Sequence, residues 1–250
     1  MIGLAVVAGV ALQGWNLVWQ DEFNVDGRPD PAKWGYEVGY IRNNELQYYT
    51  DNRPENVRVE NGNLVIECRK DNFQEKPITS GSINTLGKAG WTYGRIEVRA
   101  KIPTGLGSWP AIWMMGVDRA KLGWPLCGEI DIMENVGFQP DNVFATVHFP
   151  TGVRREHKSI GGKKVASRPY HDFHIYAVEW LPNRLDFFYD GEKYFSYEND
   201  GRHLGWRFNK ECYLLLNLAF GGTWGASKGV DEKVLPLKYL VDYVRVYQRS

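Results

Sequence analysis

The sequence predicts an all-β fold, and three observations carry that prediction. No long stretch repeats its apolar residues every 3.6 positions, many short runs alternate apolar with polar residues, and Gly, Asn, Asp and Pro separate those runs. Asn56 to Glu60 and Leu64 to Arg69 flank Asn61-Gly62. That pair is a strong hairpin signal, because both central positions of a type I′ turn need positive φ. Gly94 to Ile102 and Asn142 to Phe149 supply two further strands. Phe173 to Trp180 and Arg184 to Tyr189 form a second hairpin around Leu181-Pro182-Asn183, and Asp190-Gly191 then turns into Lys193 to Tyr197. Cys212 to Phe220 and Tyr239 to Tyr247 complete the set. Neither an internal repeat nor a Pro/Ser-rich linker divides the chain, so residues 13–250 read as one β-sandwich domain. So many antiparallel strands exceed a small barrel and favour a jelly-roll sandwich of two curved sheets, with one concave face suited to an extended substrate.

Composition narrows the ligand. Lys plus Arg and Asp plus Glu both number 30, so no net field draws the chain to nucleic acid or to an anionic membrane. A neutral partner fits that balance. Ten Trp and 14 Tyr serve cores and also offer flat faces on which sugar rings stack. Cys68, Cys127 and Cys212 are too few for a disulfide framework, and no C-x-x-C spacing points to zinc. Ile2 to Leu12 is an apolar run that reads either as a signal-peptide remnant or as a first strand; it lacks a preceding Lys or Arg and is too short to span a bilayer.

The chemistry concentrates in Glu129-Ile130-Asp131-Ile132-Met133-Glu134. Glycoside hydrolysis uses one carboxyl group to protonate the leaving oxygen and a second as nucleophile or as base for water. In a regular strand Glu129 and Asp131 share a face, whereas Glu134, five residues after Glu129, points the other way. A β-bulge at Ile132 or Met133 resets the alternation and brings all three acids onto one face. Exposed acids at a strand edge are the ordinary alternative. Against it, three acids this close repel one another, and such clusters are retained mostly where they function.

The run Trp124-Pro125-Leu126-Cys127-Gly128 to Glu134, followed by Asn135-Val136-Gly137, closely resembles the active-site signature of glycoside hydrolase family 16, in its laminarinase (endo-β-1,3-glucanase) branch. Further segments resemble the family in the same order: Trp19 with Asp21-Glu22-Phe23, Asn44 to Thr50, Gly107 to Met114, Thr146-Val147-His148, Asn217 to Trp224, and Val241 to Tyr247. The resemblance implies a secreted or periplasmic enzyme, expected to act as a monomer, that cuts β-glucan with retention and without a catalytic cofactor. Glu129 would be the nucleophile, Glu134 the acid/base, and Asp131 the residue that hydrogen-bonds the nucleophile. Asn44, Trp109, Trp113, Trp124, His148 and Trp224 would bind substrate, with packing an equal alternative for Trp124. A structural calcium ion would be held by Glu22, the Gly62 carbonyl and Asp242. One departure is visible. Where many laminarinase-like chains carry an Arg after Thr79-Ser80, this chain has Gly81-Ser82-Ile83, so Arg42 or Arg95 replaces that contact or it is missing. Relatives acting on mixed-linkage glucan, agar, carrageenan or porphyran, and non-catalytic β-glucan-binding proteins, are the competing readings. The Trp-Pro-Leu-Cys-Gly lead-in and the presence of all three acids favour a hydrolase of laminarin.

Overall fold

The structure, a computed structural model, describes residues 14–151, 156–199, 201 and 206–250. The apolar run at 1–12 lies outside the described residues. The strands are β1 Trp15–Asp21, β2 Gly35–Tyr36, β3 Tyr48–Tyr49, β4 Val57–Glu60, β5 Asn63–Phe73, β6 Lys76–Ser80, β7 Ser82–Asn84, β8 Gly94–Lys101 and β9 Ser108–Gly116. They continue with β10 Glu129–Glu134, β11 Asn142–Thr151, β12 Glu156–Val165, β13 His174–Leu181, β14 Arg184–Tyr189, β15 Glu192–Glu198, β16 Cys212–Phe220 and β17 Leu237–Arg249. Two sheets result. One runs β15-β14-β13-β8-β17-β5-β6-β3, with β1 on β17 and β4 on β5; the other runs β12-β11-β10-β9-β16-β7-β2. This is the two-sheet jelly roll that the alternating pattern predicts.

The expected hairpins form where the turn residues place them. Asn61 and Gly62 both have positive φ, at 54° and 74°, between β4 and β5, and Asp190 and Gly191 repeat this at 49° and 81° between β14 and β15. Strand β12 carries no clear signal in the sequence. Its run Glu156 to Val165 is largely polar and holds Lys158, Lys163 and Lys164, as suits a strand that pairs with β11 alone at the margin of its sheet.

Packing follows the two-residue period. In β16, Leu214, Leu216, Leu218 and Phe220 enter the core between the sheets, while Tyr213 and Leu215 turn to the opposite face. Strand β9 divides likewise: Ile112 and Met114 go inward, Ala111, Trp113 and Met115 outward. The outward residues join Cys127 in a second buried cluster, which floors a groove across the seven-stranded sheet. Each large aliphatic side chain buried in this way stabilises the fold by about 1.5–3 kcal/mol before chain entropy is counted. All three cysteines are free and buried.

Candidate active site

Strand β10 lies between β9 and β11, and its register slips within the carboxylate segment. Against β9, Asp131 pairs with Trp113 and Met133 with Ile112, so Ile132 is the extra residue; against β11 the shift falls between Asp131 and Glu134. Ile130, Ile132 and Met133 all enter the core, which sends Glu129, Asp131 and Glu134 to the groove face. The end of β10 is fixed tightly. The Asn135 side chain donates to the carbonyls of Pro140 and Asn142, and the Gly137 N–H donates to the Ser108 carbonyl. At Gly137 a Cβ would stand 1.7 Å from the Gly105 carbonyl oxygen, so only glycine allows the two segments to meet there.

Each acid has its own donors. The Trp124 indole Nε1–H donates to Glu129 Oε2 at 2.8 Å, and the Trp109 Nε1–H donates to Glu134 Oε1 at 3.0 Å. His148 Nε2 lies 3.0 Å from Asp131 Oδ2 and 3.8 Å from Glu129 Oε1, while its Nδ1 meets His157 Nε2 at 2.8 Å. Burial pushes Glu129 up to about 8; the Asp131 charge adds to this, and His148, the Trp124 N–H and Arg42 oppose it. Burial also raises Asp131, with its hydrogen bond to Glu129 acting the other way. Glu134 is held well above the usual carboxylate range, first by burial and then by Asp131, against the Trp109 N–H and His148. The cluster therefore holds protons that isolated acids would have lost at neutral pH, and it titrates as a unit.

Aromatic rings wall the groove, whose cavity measures about 560 Å³. Trp109 and Trp224 meet edge to face at 5.5 Å, and Phe144 meets Trp224 at 5.1 Å. Trp124 is 45% exposed, so it is not a core residue; its ring lies 4.4 Å from that of His157. Trp113 is buried in the floor, where its Nε1–H donates to Asn217 Oδ1 at 2.7 Å and the Arg42 guanidinium covers its ring at 4.9 Å. Asn217 Nδ2 in turn donates to the Tyr49 hydroxyl, and that hydroxyl donates to Glu45.

Several sequence expectations are resolved by this geometry. Arg42 faces the groove and is paired with Glu37, whereas Arg95 belongs to the other sheet, where it pairs with Glu97 and Glu179. Asn44 is exposed on its loop, and its neighbour Asn43 lines the groove instead. Both residues have positive φ, which turns consecutive side chains in directions that no strand period predicts. His157, Phe144 and Arg119 line the groove without having stood out in the sequence, since nothing local distinguishes them, and Thr146, from the segment Thr146-Val147-His148, lines it beside them.

The residues expected to hold calcium do not form a cage for it as they stand. Both oxygens of Glu22 accept from Arg245, at 2.7 and 2.8 Å, and Asp242 Oδ2 accepts from Arg99 at 2.6 Å. Calcium needs several free oxygens around one point, and here guanidinium groups already neutralise the two carboxylates. Among the described residues, the convergent group of ligand atoms is that of Glu129, Asp131 and His148, and an imidazole does not suit calcium.

Comparison with known proteins agrees with the site. Residues 44–245 match Glycosyl hydrolases family 16. The chain is 44% identical to a beta-glucanase of Rhodothermus marinus, over 98% of this chain and 92% of that one. The crystal structure of the laminarinase from Rhodothermus marinus superposes with a TM-score of 0.88 at 45% identity, covering 94% of this chain and 98% of the other. A mutant of SCLam, a non-specific endo-beta-1,3(4)-glucanase that presents 1,3-beta-D-cellobiosyl-glucose at its active site, gives a TM-score of 0.87 at 45% identity, covering 95% and 96%. With a carboxylate-bearing bulged strand at the floor of an aromatic groove, and with similarity along nearly the whole chain, this protein belongs to glycosyl hydrolase family 16.

Proposed function

We propose that the chain is a retaining endo-β-1,3-glucanase that cuts internal bonds of laminarin-type glucans by double displacement, with Glu129 as nucleophile and Glu134 as acid/base. One observation carries the division of roles: the two acids share a face but differ in their donors. Glu129 has the Trp124 N–H, His148 and Arg42 to hold a negative charge, so it ionises before Glu134. Glu134 accepts from the Trp109 N–H and shares the influence of His148, but burial and the charges of Asp131 and Glu129 outweigh them, so it keeps its proton to protonate the leaving oxygen. Asp131 hydrogen-bonds Glu129 and holds it for attack.

The same coupling serves the second half of the reaction. Once Glu129 is esterified to the sugar its negative charge is gone, and its share of the repulsion on Glu134 goes with it, while burial and Asp131 still act. Glu134 has by then given its proton to the leaving group. It is now the base that draws a proton from water, which attacks the glycosyl-enzyme and releases a β-configured product.

The aromatic walls favour a neutral glucan, with Trp109 and Trp224 placed to stack on sugar rings and Arg42 and Asn43 placed to hydrogen-bond hydroxyls. Similarity to SCLam favours tolerance of mixed β-1,3-1,4 chains as a second substrate. A polymer of this kind does not cross a membrane intact, so we place the enzyme outside the cytoplasm. Release of reducing ends from laminarin, with NMR of the first product before mutarotation, tests the proposal. Internal cleavage giving a β-anomer is expected. No cleavage of laminarin, or an α-anomer, overturns it.

A further inference from the structure

We propose that Glu129, Asp131 and His148 together form a binding site for a divalent transition ion, zinc being the best match, and that the ion inhibits the enzyme reversibly by occupying the nucleophile. The binding claim stands on geometry, whereas the inhibition rests on the role proposed above for Glu129. One ligand atom from each of the three residues lies within 4.8 Å of the other two. Ligands about 2.1 Å from one ion at a tetrahedral angle are about 3.4 Å apart. The distances from His148 Nε2 to Asp131 Oδ2 and to Glu129 Oε1 are 3.0 and 3.8 Å, on either side of that value. Small rotations of the two carboxylates bring all three atoms into range of one ion.

Two further observations separate this group from an ordinary acidic cluster. Asp131 is 3% exposed, and its Oδ2, directed at His148, has no well-aligned hydrogen-bond donor. A buried carboxylate oxygen without such a donor is short of a partner, and a cation supplies one. The second observation is the outer contact. A His that binds metal through Nε2 must keep its proton on Nδ1, and here Nδ1 faces His157 Nε2 at 2.8 Å, a ring nitrogen able to accept that proton. Metal at Nε2 selects the tautomer in which Nδ1 donates to His157, so the outer contact is ready to serve the bound state. One imidazole with two carboxylates selects zinc and its neighbours over calcium or magnesium, whose ligands are oxygen only. The fourth position opens to the groove, where water completes the coordination.

Zinc chloride titrated calorimetrically into the full chain, with laminarin hydrolysis followed in parallel, tests the proposal. One ion per chain is expected, displaced by a β-1,3-gluco-oligosaccharide, with inhibition reversed by EDTA. His148→Ala should weaken zinc binding at least tenfold, and His157→Phe by about tenfold through loss of the outer hydrogen bond. Glu129→Gln, which preserves shape and removes a charged ligand, gives a second measure should His148→Ala fail to fold. Zinc binding equal to the parent in Glu129→Gln and in a folded His148→Ala, or no binding at millimolar zinc, overturns the site. Zinc binding that the variants lose, in a protein that leaves laminarin intact, sinks the glucanase reading and upholds the site. Laminarin hydrolysis that zinc neither binds to nor slows does the reverse.

Discussion

Replacing Glu129 by Gln should stabilise the protein, and only above the pH at which an ordinary glutamate ionises. Glu129 is displaced from 4.5 to about 8, chiefly by burial, so the native state binds a proton that the unfolded chain has released. Between those values stability falls as pH rises, because the native state binds more protons than the unfolded one. The group favours the fold fully below about pH 4.5, and that contribution is lost as pH climbs through 8. Carried by Glu129 alone, the displacement corresponds to about 5 kcal/mol. Asp131 shares the same protons, so we assign Glu129 about half, roughly 2–3 kcal/mol. Gln keeps an oxygen to accept from Trp124 and gains an N–H for Asp131, so the variant forfeits little hydrogen bonding. For a domain of this size the gain amounts to about 4–12 °C in melting temperature. Thermal melts of both proteins in EDTA from pH 4 to 9 should coincide at the acid end and diverge through neutrality. A gap that stays constant with pH, or a variant that melts lower at pH 8, refutes the reasoning.

Other predictions concern single contacts. Trp109→Phe removes the donor of Glu134 and raises that acid further, so the alkaline limb of kcat/KM moves to higher pH; Trp124→Phe does the same to Glu129 and moves the acid limb upward. Profiles whose two limbs do not separate in this way would count against the assigned roles. Arg42→Ala leaves the Glu37 carboxylate short of its main partner, with Ser82 and Arg119 remaining, and should cost about 2–4 kcal/mol in denaturant melts as well as raising KM. Glu129→Ala should be inactive on every substrate. Glu134→Ala should retain glycosylation with an activated phenyl leaving group and, with added azide, give a β-glycosyl azide; an α-azide or none at all would reject Glu134 as acid/base.

The parts of this architecture that were legible in the sequence are those written in local chemistry. Asn61-Gly62 and Asp190-Gly191 announce their hairpins because few other pairs tolerate positive φ twice in succession. The face shared by Glu129, Asp131 and Glu134 follows from counting by two and asking what a five-residue gap requires. What could not be read depends on partners distant in the chain. That Trp124 is a hydrogen-bond donor to Glu129 depends on a loop folding back over β10, and His157 reaches His148 only through the β11–β12 register. The calcium expectation did not allow for Arg245 and Arg99, which lie on β17 and β8 and engage Glu22 and Asp242.

The slip at Ile132 bears on how this strand tolerates insertion and deletion. An unbulged strand carrying its last acid four residues after Glu129, not five, would present the same three carboxylates to the groove, since four is an even count. The slip is therefore one of two equivalent phasings, and it does not by itself decide which acids can work together. What the extra residue adds is an anchor: Ile132 and Met133 both enter the core at a place where an unbulged strand would lodge a single side chain. Deleting Ile132 should therefore keep the acids in phase and part of the activity while melting several degrees lower, whereas inserting one Ala beside it should turn Glu134 inward and silence the enzyme. In the reading frame of this strand, a lost residue is a matter of stability and a gained one a matter of chemistry.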